Sequence, residues 1–180
     1  MNRRLRLSAL VAYAFALTAC ASSMSVSSHV EQGLDFGRYR TFAWGPADAL
    51  PTGDARLDAN PFFKDHMQGE VEKGLATRGI ALVTSGPSDL QIHYHANISQ
   101  RMNVRNVDAT RAYGNPADDQ ISEYEAGTIV VDIVDTRTQR VIWRGWAQDA
   151  VKGMLNDSDK MADQIQEAVT RMLARLPPKL

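Results

Sequence analysis

The chain has one cysteine, Cys20, in 180 residues, so no disulfide can form within it and no thiol nucleophile is available to its body. No apolar run approaches the ~20 residues that a spanning helix needs; the run from Leu7 to Leu17 is too short. Aromatic residues make up only 7%, and 20 basic residues stand against 21 acidic ones, which argues against nucleic acid as a partner. Also missing are Gly-x-Gly-x-x-Gly, a phosphate-binding Gly-Lys-Ser/Thr, Gly-x-Ser-x-Gly and His-Glu-x-x-His. With no catalytic constellation to assign, the body is expected to be no enzyme and to carry no cofactor.

What is present begins at the N-terminus. Arg3, Arg4 and Arg6 precede the apolar run, which closes on Leu17, Thr18, Ala19 and Cys20. A charged segment, a short apolar segment and small residues before a cut site form an export signal. The leucine, two small residues and cysteine resemble the bacterial lipobox. That resemblance implies cleavage before Cys20, diacylation of its thiol, and a membrane contact made through N-terminal acyl chains. Two or more chains anchor stably where one binds reversibly. Ala21 in place of an aspartate favours, by the same resemblance, the outer membrane facing the periplasm. The division expected is a signal over 1–19, the lipidated cysteine and a short serine-rich tether over 20–28, and one domain over 29–180. The mature part carries 17 basic and 21 acidic residues, too acidic for its surface to seek anionic lipid.

The body alternates between the two regular periods. Met24, Val26 and Val30 fall on even positions among the serines, so an edge strand competes with a free tether there. Tyr39–Trp44 reads as a strand stopped by Gly45 and Pro46. Asn60 and Pro61 open a helix whose apolar positions are Phe63, Met67, Val71 and Leu75, with Gly79 beyond it. Gly69 and Gly74 weaken that helix by roughly 1 kcal/mol each relative to alanine. A short strand follows over 80–84, and a cleanly alternating one over 89–99. The stretch 100–123 has no sustained apolar period.

Two β-rich runs over 128–146 form a hairpin. Opposing Asp135 and Gln139 places Ile129, Val131, Ile133, Val141 and Trp143 on one face, whereas a loop one residue longer mixes the faces. A final helix begins near Asp157–Asp159 and buries Met161, Ile165, Ala168, Val169, Met172 and Leu173. The architecture expected is α+β, a two-layer sandwich: a mainly antiparallel twisted sheet of about five strands with two long helices on one face.

The opposite face carries Val130, Ile142, Arg144 and Trp146, more apolar area than a freely solvated surface needs. It is the candidate interaction face for an envelope protein, unless the stretch 100–123 folds over it. His93 and His95, two apart on one strand, point the same way, and the competing function is metal binding or metal-dependent chemistry there. No third ligand can be named, and two histidines on a solvated face need none.

Tyr39-Arg40-Thr41-Phe42-Ala43-Trp44, Asn60-Pro61, Ser88-Asp89-Leu90, Gly127-Thr128, Asp132, Asp135 and Val141-Ile142-Trp143-Arg144-Gly145, in this order, resemble the bacterial lipoprotein family of domain of unknown function 4136. The similarity spans nearly the whole mature chain. It implies fold and address, a membrane-anchored envelope lipoprotein, and no particular activity.

Overall fold

The computed structural model describes residues 24–46, 53–102, 123–151 and 153–178. Six strands form one sheet: β1 (Ser25–Val30), β2 (Thr41–Trp44), β3 (Ala81–Leu82), β4 (Leu90–Met102), β5 (Glu123–Asp135) and β6 (Arg140–Ala150). Their order across the sheet is β1-β6-β5-β4-β2-β3. The helices among the described residues are α1 (Ala55–Asp58), α2 (Pro61–Ala76) and α3 (Ser158–Leu173). The α+β class holds. The sheet is mixed, with six strands, because β2 runs parallel to both β4 and β3 while β1, β6, β5 and β4 pair antiparallel.

The two long helices form where capping and periodicity agree. Asn60 Oδ1 accepts from the backbone N–H groups of Phe62 (3.0 Å) and Phe63 (3.3 Å), and Pro61 occupies the first turn, where its missing donor costs nothing. Asp157 caps α3 through the Lys160 N–H at 3.0 Å. Phe63, Met67, Val71 and Leu75 of α2 and Met161, Ile165, Val169 and Met172 of α3 are buried against one face of the sheet. That face presents Phe42, Leu90, Ile92, Tyr94, Val131, Ile133 and Trp143. Each such side chain contributes roughly 1.5–3 kcal/mol by leaving water, and the face chosen by each strand is fixed accordingly. Gly74, costly for the helix alone, lets α2 approach α3: a Cβ there would lie 2.3 Å from Leu173 Cδ1.

Local boundaries shift from the expected ones. Tyr39 lies outside β2, just past a 3₁₀ turn over Phe36–Arg38. The strand expected over 80–84 reduces to Ala81–Leu82. Gln100–Met102 extend β4, and residues 123–127 extend β5, taking residues from what reads as loop. Ser25–Ser28 are in β1 rather than a tether, with Met24 buried, so the fold begins before residue 29.

The β5–β6 hairpin differs most. Its loop is one residue longer than expected, with Asp135 opposite Arg140 and Gln139 at φ 56°. A β-bulge then restores the match of faces: Val134 opposes Val141, but Ile133 opposes Trp143, leaving Ile142 as the extra residue. Val131 consequently faces Gly145, and Ile129 faces Ala147. Trp143 stays in the core as expected, lying over Gly145, where an added Cβ would be 2.2 Å from its ring. Ile142 joins it in the core, and Val141, expected there, is 46% exposed.

Candidate functional site

Away from the helices, the sheet presents rows of side chains crossing four strands. One row runs His29, Arg144, Asp132, His93 from β1 to β4; the next runs Ser27, Trp146, Val130, His95. A third runs Ser25, Gln148, Thr128, Asn97, with Gln148 Nε2 donating to Thr128 Oγ1 at 3.0 Å.

The centre of this face is an ion pair. Arg144 Nε and Nη2 donate to Asp132 Oδ1 and Oδ2, each at 2.6 Å, a two-pronged geometry that only a guanidinium offers. Asp132 is only 4% exposed, whereas the Arg144 side chain is 51% exposed. The hydrogen bonds and charge of Asp132 raise the pKa of Arg144 further above its ordinary value. Trp146, beside the pair, is 36% exposed, and Val130 opposite it is half-buried. Three of the four residues expected here, Val130, Arg144 and Trp146, therefore share this face. Ile142 does not, because the bulge turns it inward with Trp143; Val141 takes a place on the outside instead. Residues 103–122 and Cys20 lie outside the described residues.

His93 and His95 are on this face as well, His93 directly opposite Asp132. His93 packs against Gly45, where a Cβ would fall 2.4 Å from its ring, and its Nε2 lies 3.3 Å from Gln91 Oε1. Both oxygens of Asp132 are engaged by Arg144. Among the described residues no three His, Cys, Asp or Glu side chains gather as metal ligands do.

Sequence reasoning missed a second polar cluster at the other end of the strands. Asp135, buried, accepts from Tyr39 Oη at 2.8 Å and Arg38 Nη2 at 3.0 Å with one oxygen. Its other oxygen accepts from the backbone N–H groups of Arg137 (2.9 Å) and Thr138 (3.0 Å) in the hairpin turn. Burial pushes the Asp135 carboxyl up, but the bonds from Tyr39, Thr138 and Arg137, with the Arg137 charge, outweigh it and hold the group below the usual carboxylate range. Next to it, Asp89 Oδ2 accepts from Arg40 N and Thr41 N at 2.8 and 3.0 Å, which depresses its pKa. Thr136 N donates back to Asp89 O at 3.1 Å. A cleft of about 270 Å3 borders these groups. Both carboxylate oxygens of Asp135, and Oδ2 of Asp89, accept hydrogen bonds, and the cluster ties β2, β4 and the hairpin turn together.

The family follows from the match to its model over residues 26–178. The chain belongs to the family described as domain of unknown function DUF4136. Some of the residues that carry the resemblance in the sequence, Tyr39, Ser88-Asp89 and Asp135, are joined at this end of the sheet, so this part of the signature has a structural role. No curated protein matches the sequence. Among solved structures, PelC from Paraburkholderia phytofirmans, a dodecamer, is similar over 87% of this chain and 99% of that one, with 7% identity and a TM-score of 0.50. A PDZ domain protein from Parabacteroides distasonis is similar over 86% of this chain but 36% of that one, with 19% identity and a TM-score of 0.52. At these identities the likeness shows the fold alone.

Proposed function

We propose that this DUF4136 protein is a non-enzymatic lipoprotein of the bacterial cell envelope, anchored by acylated Cys20 in the outer membrane on its periplasmic side, which binds another envelope protein through the outer face of its sheet. The observation that carries the reading is Trp146, 36% exposed beside half-buried Val130 and the Arg144–Asp132 pair. A large aromatic flanked by an oriented arginine is the composition of interface centres, where Trp and Arg are enriched. Among the described residues the helix-covered face is filled by core, and the outer face is the broad one that no described helix covers. The fold's occurrence in a dodecamer of PelC makes a second copy of the chain one partner to look for.

The test is a photo-crosslinking residue at position 146 in intact cells, compared with one at exposed Leu82 on β3. A discrete adduct from 146 and none from 82 is expected. Absence of any adduct from 146, with turnover of an envelope substrate by the purified protein, would sink the reading. The anchor is tested separately: mass spectrometry should find acylated Cys20 as the first residue, and Cys20→Ser should release the protein from membranes.

A further inference from the structure

Met24 is held firmly. Its side chain is buried, and its carbonyl oxygen accepts from Arg171 Nη2 on α3 at 3.0 Å. Residues 21–23 alone separate it from Cys20, and four backbone steps of ~3.3 Å reach about 13 Å. An acylated Cys20 therefore brings the bilayer close to the surface around Met24, with no long leash to hold the domain away.

That surface has a distinct character. Met24 lines a small cavity together with Leu57, Phe63 and Met154. The neighbours of the last two, Phe62 and Leu155, line an open cleft of about 500 Å3 where the N-terminal ends of α2 and α3 converge, with Pro61 and Met161 contributing further apolar wall. Phe62 is 59% exposed although Phe63 beside it is buried. The core stripe of α2 uses Phe63, and the capping bond uses only the backbone N–H of Phe62, so neither explains an aromatic side chain at that position. An aromatic ring is favoured at the interface between headgroups and acyl chains. Asp157 lines the cleft, and Asp58 and Asp159, with the single cation Lys160, adjoin Ala59, Ser158 and Met161 of its lining. The lining cation, Arg56, is held by Asp54 and Glu125. Anionic headgroups are disfavoured by this balance, and zwitterionic ones are not.

We infer that Phe62 and the cleft at the helix N-termini form a second membrane contact, which rests on a zwitterionic lipid surface and sets the domain's orientation on the bilayer. The helix N-termini face the lipid, and the β5–β6 turn points away from it. This inference rests on acylation of Cys20.

The chemistry of the anchor makes the test specific. In the mature lipoprotein the Cys20 thiol is acylated, so Phe62→Cys supplies the one free thiol for an environment-sensitive fluorophore. Ala59→Cys, also exposed and in the cleft, gives a second probe should the first disturb the fold. Leu82→Cys is the distant control: Phe42 is level with both Leu82 and Leu90, and Leu90 lies eight residues along β4 from Ile98, about 26 Å. The acylated proteins are reconstituted in phosphatidylcholine and phosphatidylethanolamine vesicles containing lipid with a nitroxide near the headgroup. Probes at 62 and 59 should shift to the blue and lose most of their emission to the nitroxide, while the probe at 82 keeps its own. Equal emission at all three positions, with mass spectrometry showing acylated Cys20, overturns the contact and leaves the anchor standing. Unacylated Cys20 in the mature protein overturns both.

Discussion

The bond between Tyr39 and Asp135 joins residues 96 apart in sequence and closes one end of the sheet, so its strength can be isolated by a double-mutant cycle. Tyr39→Phe removes only Oη. Asp135 then retains the two turn N–H groups and Arg38, and the loss should be about 1.5–3 kcal/mol, the value of one hydrogen bond to a charged group. Asp135→Ala removes the acceptor from four donors at once; the Tyr39 hydroxyl still accepts from Arg38 Nη2 at 2.6 Å but loses the group to which it donates, and the change should cost about 3–5 kcal/mol. Arg38 adds little to this sum, because its side chain is 44% exposed and water screens the pair. Because the Tyr39 change has less to remove once its partner is gone, the double variant should fall short of additivity by about 1.5–3 kcal/mol. The assay is urea unfolding of a soluble form beginning at Ala21, followed by tryptophan fluorescence, with the slope required to stay constant across the cycle. A shortfall below about 0.3 kcal/mol would mean that Tyr39 and Asp135 act independently, and the reading of the family signature as a structural tie would fail.

Two further outcomes follow from the same geometry. Gly145→Ala places a Cβ 2.2 Å from the Trp143 ring in the packed core, and the overpacking should destabilise by about 1–3 kcal/mol in the same urea assay; an unchanged midpoint would show that the ring can move aside. Asp135 and Asp89 titrate below their unfolded values, so their stabilisation is complete above about pH 4 and disappears as pH falls through the depressed folded values. Thermal unfolding should show an acid limb that is shallower in Asp135→Ala than in the parent; limbs of equal steepness would remove Asp135 from the account.

What the sequence makes legible here is what local chemistry dictates. Asn60, Pro61 and the four-residue recurrence of Phe63, Met67, Val71 and Leu75 define α2 without reference to anything distant, and the alternation from Leu90 to Ile98 defines the buried face of β4. The β5–β6 register was not legible, because two deviations cancel. The turn needs a left-handed residue, and it uses Gln139 where a glycine or asparagine would have marked the position. The extra loop residue is then offset by the bulge at Ile142, which no periodicity announces. That one displacement decides the site: it removes Ile142 from the outer face, and it aligns Arg144 with Asp132, a pairing hidden in the shorter register. The parallel placement of β2 against β4 and β3 depends on contacts remote in sequence. Val130, Arg144 and Trp146 keep their expected side since simple alternation beyond the bulge suffices for them.

The unequal edges of the sheet bear on how copies of the chain can pair. An open strand edge invites a neighbour to extend the sheet. On the β3 side the edge is only Ala81–Leu82, and past Ile92 the rim of β4 is met by Gly53, whose Cβ would sit 3.4 Å from Ala96 O, and by Asp54, which accepts from the Ile98 backbone. The six residues of β1 are the longer rim. A filament requires every copy to offer two pairing rims, one for each neighbour, and a molecule with one serviceable rim can only meet its like face to face and stop at two. Among the described residues strand addition is thus confined to the β1 rim, which favours a pair of copies over a fibre.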